Sequence, residues 1–257
     1  MKYIRKAIAL VLVAVFIAAV AIGLSVIFAV RNINVFTVDY TASGDSDGTD
    51  EFADTVSGIR ESLSQLEGRT IVTVNEEDIS AIVAESGYAE FVSAERVYPC
   101  TINVTVKERL EVFAVPADDG SGYVILDGNC NEMVTKAENV NNLDGSPNVL
   151  LDVPQDDYAL VADILSSFGE KFSSVRAFAE SVTAVNDSIL GELLRIKLRC
   201  GVTMEIREYK VHTEEKAQAL FNAFDLTPDY LKLDGYMYCM ETDSGAFRVI
   251  LPDGSII

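Results

Sequence analysis

The sequence predicts an α+β protein: an N-terminal transmembrane helix, then a β-α-α-β-β layer, then a mixed β domain with helices. Three observations carry this reading. Residues 7–30 form a run without one charged side chain. Phe52, Val56, Ile59, Leu63 and Leu66 step by four, three, four and three, which is one face of an α-helix. Ile102, Val104 and Val106 alternate strictly with polar neighbours, as a half-buried strand requires.

The uncharged run comes first. A bilayer core of about 30 Å needs roughly 20 apolar residues as helix, and this run exceeds that. Lys2, Arg5 and Lys6 precede it and only Arg31 follows at once, so the positive flank holds residues 1–6 in the cytoplasm and places the rest outside. A cleaved signal peptide is the competing reading. Its apolar region should be about 7 to 15 residues and end in a small-x-small site, whereas the nearest candidate, Ile27-Phe28-Ala29, puts Ile where a small residue belongs.

All 40 acidic residues lie after the run, against 16 of the 20 basic ones beyond Arg31, a net charge of −24. A field of that sign repels polyphosphate and anionic headgroups, which argues against nucleic acid as a partner and favours a solvated surface. The remaining length, about 225 residues, suits one large domain or two modest ones. Cys100, Cys130, Cys200 and Cys239 stand far from any C-x-x-C or zinc-ligand spacing, so no metal is expected. Their even number permits two disulfides in three pairings, and scattered buried thiols fit equally well.

Residues 34–40 mix β-branched and aromatic side chains as a strand does, and a Gly/Ser/Asp cluster over residues 41–50 breaks it. Asp45-Ser46-Asp47-Gly48-Thr49-Asp50 resembles the start of a calcium loop but lacks glycine at position six and glutamate at twelve, so it reads as an acidic turn. The helix from Phe52 follows, closed by Gly68. A second begins after Asn75, with Glu76, Glu77 and Asp78 facing the positive end of the helix dipole, Ile79, Ile82 and Val83 on its inner face, and Gly87 at its end. Residues 91–98, a turn at Pro99-Cys100 and residues 101–107 then form a hairpin. The order β-α-α-β-β suits helices packed on one face of a three-stranded sheet.

Here a resemblance enters. That order after one apolar segment is similar to a POTRA domain, over residues 32–109. The phrases Leu66-Glu67-Gly68-Arg69-Thr70-Ile71 and Val97-Tyr98-Pro99-Cys100-Thr101-Ile102-Asn103-Val104-Thr105-Val106-Lys107-Glu108-Arg109 resemble the cell-division family FtsQ/DivIB. In that family a Tyr-Pro turn leads into an alternating strand ending in Glu-Arg, then a strand pair ending in Asp-Gly; residues 112–115 and Tyr123-Val124-Ile125-Leu126-Asp127-Gly128 fill those places. The acidic loop at residues 41–50 departs from the family's shorter connection.

Residues 110–257 read as the second, β domain. A polar, Asn-rich stretch over residues 129–148 suits a surface loop. Tyr158, Val161, Leu165 and Phe168 have helical spacing; residues 193–198 and 202–206 suit paired strands about Cys200-Gly201; Ala217, Leu220, Phe221 and Phe224 mark another helix before Pro228. Two last strands are expected at residues 230–241 and 246–251, about the turn Thr242-Asp243-Ser244-Gly245.

The catalytic inventory is short. The one histidine, His212, reads as a surface or capping residue, and no G-x-S-x-G, G-x-x-x-x-G-K-[ST] or H-E-x-x-H pattern is present. The carboxylates read as surface solvation, since a hydrolytic pair must meet across a cleft. Asn103-Val104-Thr105 and Asn186-Asp187-Ser188 matter only in a glycosylating compartment. Two function classes remain, a non-catalytic binding module and an anchored enzyme, and the missing constellation favours binding.

The family resemblance implies a divisome scaffold that binds FtsL and FtsB/DivIC outside the membrane, without cofactor or catalysis, and supports septal peptidoglycan synthesis. Another POTRA protein, serving secretion or adhesion, is the alternative. The resemblance also implies that FtsB/DivIC adds a strand at the C-terminal strands, where Tyr236, Tyr238, Phe247, Val249 and Ile250 are the candidate partner-binding residues.

Overall fold

The computed structural model describes residues 2–38, 50–169, 175–242 and 245–256, with side chains described for these except residues 2–10, 50, 51 and 167–169. The acidic loop, the side chains of Lys2, Arg5, Lys6 and Phe168, and the middle of the expected Thr242–Gly245 turn lie outside the described residues. The chain divides into two compact units, Met1–Arg109 and Leu110–Ile257.

The first unit opens with α1 (Lys2–Ile27). The expected transmembrane helix is corrected here: among the described residues no helix is long and apolar enough to cross a membrane. After α1 the backbone is tied into the unit. The Val30 amide donates to the Arg69 carbonyl at 2.8 Å, Gly68 N–H to Val30 at 2.9 Å and Ile71 N–H to Phe28 at 2.7 Å.

The unit continues with β1 (Asn32–Thr37), α2 (Asp50–Leu63) running into a 3-10 turn (Ser64–Leu66), α3 (Glu76–Ala84), β2 (Ala89–Val97) and β3 (Thr101–Glu108). The sheet order is β1-β3-β2, with β3 parallel to β1 and antiparallel to β2. The strand with the cleanest alternation takes the centre, where both edges are paired and Ile102, Val104 and Val106 are buried. They pack on Ile59 and Leu63 of α2, Leu66 of the turn, and Ile79, Ile82 and Val83 of α3. Asn75 holds the N-cap position of α3 in extended backbone, without a side-chain capping bond. A cis Tyr98–Pro99 bond lies in the β2–β3 turn.

The second unit contains β4 (Phe113–Pro116), β5 (Tyr123–Leu126), β6 (Glu132–Lys136), β7 (Val149–Asp152), a 3-10 turn (Gln155–Asp157), α4 (Tyr158–Gly169), α5 (Val175–Phe178), β8 (Ala179–Asp187), β9 (Gly191–Leu198), β10 (Val202–Arg207), α6 (Thr213–Leu226), a 3-10 turn (Asp229–Leu231), β11 (Gly235–Glu241) and β12 (Phe247–Ile250). The expected mixed β domain is thus one nine-stranded sheet, in the order β12-β11-β10-β9-β8-β7-β4-β5-β6. β4 with β7, β7 with β8, and β10 with β11 are parallel. Parallel neighbours need crossovers, and α6 serves as one between β10 and β11.

The core lies between the sheet and its helices. Val161 and Leu165 of α4 and Leu220, Phe221 and Phe224 of α6 pack with Leu194, Ile196, Met204, Ile206, Met237, Cys239 and Val249. Each such burial contributes about 1.5–3 kcal/mol before the cost of ordering the chain. The strand expected from residue 230 begins only at Gly235. The segment before it is taken by the 3-10 turn and by the approach of the Leu233 carbonyl to Gly201, whose φ is +106° and where an added Cβ would stand 2.3 Å from that oxygen.

Candidate functional site

β12 is the outermost strand at one end of the nine-stranded sheet. Its inner edge is laddered to β11 through the pairs Tyr238–Ile250, Cys239–Val249, Met240–Arg248 and Glu241–Phe247. Its outer edge can be read from one bond. The Leu251 amide donates to the Ser255 carbonyl at 2.9 Å, within a hairpin that also bridges Ile250 to Ile256. Backbone groups point alternately to the two edges of a strand. With Leu251 outward, Val249 and Phe247 are outward too, and the backbone of Phe247 with the amide of Val249 forms the open part of the edge among the described residues.

The five expected docking residues do not share one surface. Phe247 and Val249 face the helix side: Val249 is buried in the core and Phe247 is packed against it. Tyr236, Tyr238 and Ile250 alternate to the opposite face, since Met237 between the two tyrosines and Cys239 after them belong to the core. β11 is paired on both edges, so Tyr236 and Tyr238 offer side chains and no open backbone. Tyr236 is 59% exposed and Tyr238 half-buried.

That opposite face carries residues outside the expected set. Thr183, Arg195, Glu205, Tyr238 and Ile250 form one row across β8 to β12. Arg195 donates to Glu205 Oε1 from Nε at 2.9 Å and Nη2 at 2.7 Å. The Arg207 guanidinium lies 4.5 Å from the centre of the Tyr238 ring, a cation–π contact of about 0.5–2 kcal/mol. The signal was present in the sequence: Arg195 and Lys197 alternate with Leu194, Ile196 and Leu198, so the charged set must face away from the core.

The turn joining β10 to α6 holds this end of the sheet. Glu208 and His212 both have positive φ, at +48° and +51°. The fully buried Lys216 donates to the carbonyls of Arg207 at 3.0 Å and Glu208 at 3.1 Å, which fastens the strained turn to the helix. His212 takes the N-cap position of α6 with no side-chain capping bond, its ring 6.1 Å from that of Phe247.

A comparison with known protein families and with curated proteins finds no match. Function therefore rests on the local chemistry. Among the described residues no group of three His, Cys, Asp or Glu is placed to hold a metal ion. All four cysteines are free thiols. Burial pushes the Cys130 thiol up to about 12 and the Cys239 thiol up to about 11, so both stay protonated and poor nucleophiles at neutral pH. What the site offers is backbone: outward N–H and C=O groups beside a half-buried tyrosine and an exposed one.

Proposed function

We propose that the chain is a non-catalytic divisome scaffold of the FtsQ/DivIB type, working at the division septum outside the cytoplasm. Its β12 edge receives a strand from a partner of the FtsB/DivIC type, and FtsL belongs to the same assembly. The observation that carries the reading is the outward orientation of Phe247 and Val249 on the last strand of the sheet. An added strand would complete the backbone ladder there, while Tyr238 and Ile250 beside it give the partner side chains a surface to recognise. The resemblance around Tyr98-Pro99 supports the assignment to division.

The test is Val249→Pro, which removes one outward donor and leaves the inner ladder to β11 in place. Val249→Ala serves as the packing control, because Val249 is only 3% exposed and both changes remove its side chain. Binding of a FtsB/DivIC-type extracytoplasmic domain should fall at least tenfold with proline and stay near wild type with alanine. Equal binding by both variants refutes strand addition at this edge. Truncation after Glu241 is the coarser probe, since it strips Val249 and Leu251 from the core as well. A fluorescent fusion should gather as a mid-cell ring; uniform distribution would refute the septal assignment.

A further inference from the structure

The open edge of β12 is short, and the chain itself stands beside it. Beyond Ile250 the backbone turns on Pro252, Asp253 and Gly254, where the Gly254 amide donates to the Leu251 carbonyl at 2.9 Å. The Asp253 carboxylate closes the turn by accepting from the Ser255 amide at 2.9 Å and hydroxyl at 2.6 Å. The returning residues place Ser255 O on the Leu251 amide and Ile256 opposite Ile250. The hairpin thus spends the outward donor that a partner strand would meet next after Val249.

We infer that residues 253–256 are a self-cap that competes with the docking strand for the Leu251 amide and must swing away for full strand addition; this rests on the docking reading above. Two features favour a hinge at Pro252. Leu251 is 7% exposed and anchored in the core, whereas residues 253–256 are all exposed, Ile256 at 61%. Pro252 sits on Gly235, where an added Cβ would stand 2.9 Å from the proline ring, so the chain is pinned up to this point and held beyond it mainly by its own turn and one bridge. A partner strand of ordinary length, about five or six residues, is longer than β12 and overlaps the capped position.

The geometry supplies a lock. With the Leu251-to-Ser255 bond beside it, the Ile250–Ile256 bridge is of the non-hydrogen-bonded kind, whose Cα separation of about 4.5 Å suits a disulfide. In a C100S/C200S background of the full chain, I250C/I256C holds the cap shut when oxidised and frees it when reduced, and a chain ended after Pro252 has no cap. A cap closed about nine-tenths of the time lowers apparent affinity about tenfold. The FtsB/DivIC-type domain should therefore bind the capless chain about tenfold tighter than the wild type, and the oxidised double variant most weakly of all, with recovery on reduction. Measurable but equal affinity in all three overturns the self-cap and leaves edge docking at Phe247 and Val249 in place. Absence of binding in all three refutes the docking reading and the cap with it. A partner-free check uses deuterium exchange: the Leu251 amide should exchange well before that of Cys239, and equal protection overturns the hinge.

Discussion

Tyr209 lies in the turn between β10 and α6, 2% exposed, and its hydroxyl donates to Asp157 Oδ2 at 2.5 Å. Lys210 Nζ stands 3.2 Å from the same oxygen. Burial first, then the bond to Asp157 and its charge, push the phenol up to about 12 from its ordinary 10, with Lys210 opposing. A folded-state value above the unfolded one means that the fold holds the neutral phenol. The stabilisation is complete below pH 10 and is lost as pH rises toward 12. A gap of two pH units, at about 1.36 kcal/mol each, gives an upper figure of about 3 kcal/mol. Tyr209→Phe removes a hydrogen bond to a charged group, about 1.5–3 kcal/mol, while Asp157 keeps Lys210 as a partner, so a loss of about 1–2 kcal/mol at pH 8 is expected. Urea unfolding followed by circular dichroism at pH 8, 10, 11 and 12 measures both effects. The wild-type advantage should shrink steadily above pH 10 and vanish near pH 12. A variant as stable as wild type at pH 8, or a constant difference through pH 12, would refute the reasoning.

Gly201→Ala should cost more than about 2 kcal/mol, because the left-handed backbone and the nearby Leu233 carbonyl both oppose a Cβ; Gly58→Ala, in α2 with open space around it, should instead raise the melting temperature by a few degrees. Lys216→Met leaves two carbonyls of the strained turn without their donor and should cost about 1–3 kcal/mol, with faster trypsin cleavage after Lys210 as the local readout. A fragment of residues 32–257 should fold and stay soluble, its charge opposing aggregation. It should melt below a fragment of residues 28–257, which keeps the backbone bonds of Phe28 and Val30.

Elements with a strong local period were legible in the sequence. Ile102, Val104 and Val106 have the alternation of a central strand, and Ala217, Leu220, Phe221 and Phe224 are the buried stripe of α6. The local sequence does not announce β6, β7 and β8 as strands. β7 is four residues between Asn148 and Val153, and β8 carries Ser181, Thr183 and Ala184, whose strand character comes from neighbours far away in sequence. Parallel pairing with β7 gives β8 its place, and no local pattern encodes a crossover. The uncharged run was legible as apolar helix, yet the crossing read from it did not follow. At the candidate site the C-terminal strands were legible but their division was not. Among Tyr236, Tyr238, Phe247, Val249 and Ile250 the period of two turns the side chains of Phe247 and Val249 toward the core and those of the other three away from it, and the hairpin at Ile256 has no apolar pattern to announce it.

The unequal lengths along the sheet carry a mechanical consequence. A partner joined to β12 and pulling along the strand direction loads the β11–β12 ladder in shear, so all its backbone bonds resist together. Because β12 spans only Phe247–Ile250 while the β8–β9 pair runs from Ala179–Leu198 to Asp187–Gly191, the outer ladder is the weaker link in series. Tension would shear β12 off first and leave the long central pair intact, so the sheet has a fuse at its rim that yields before the core does.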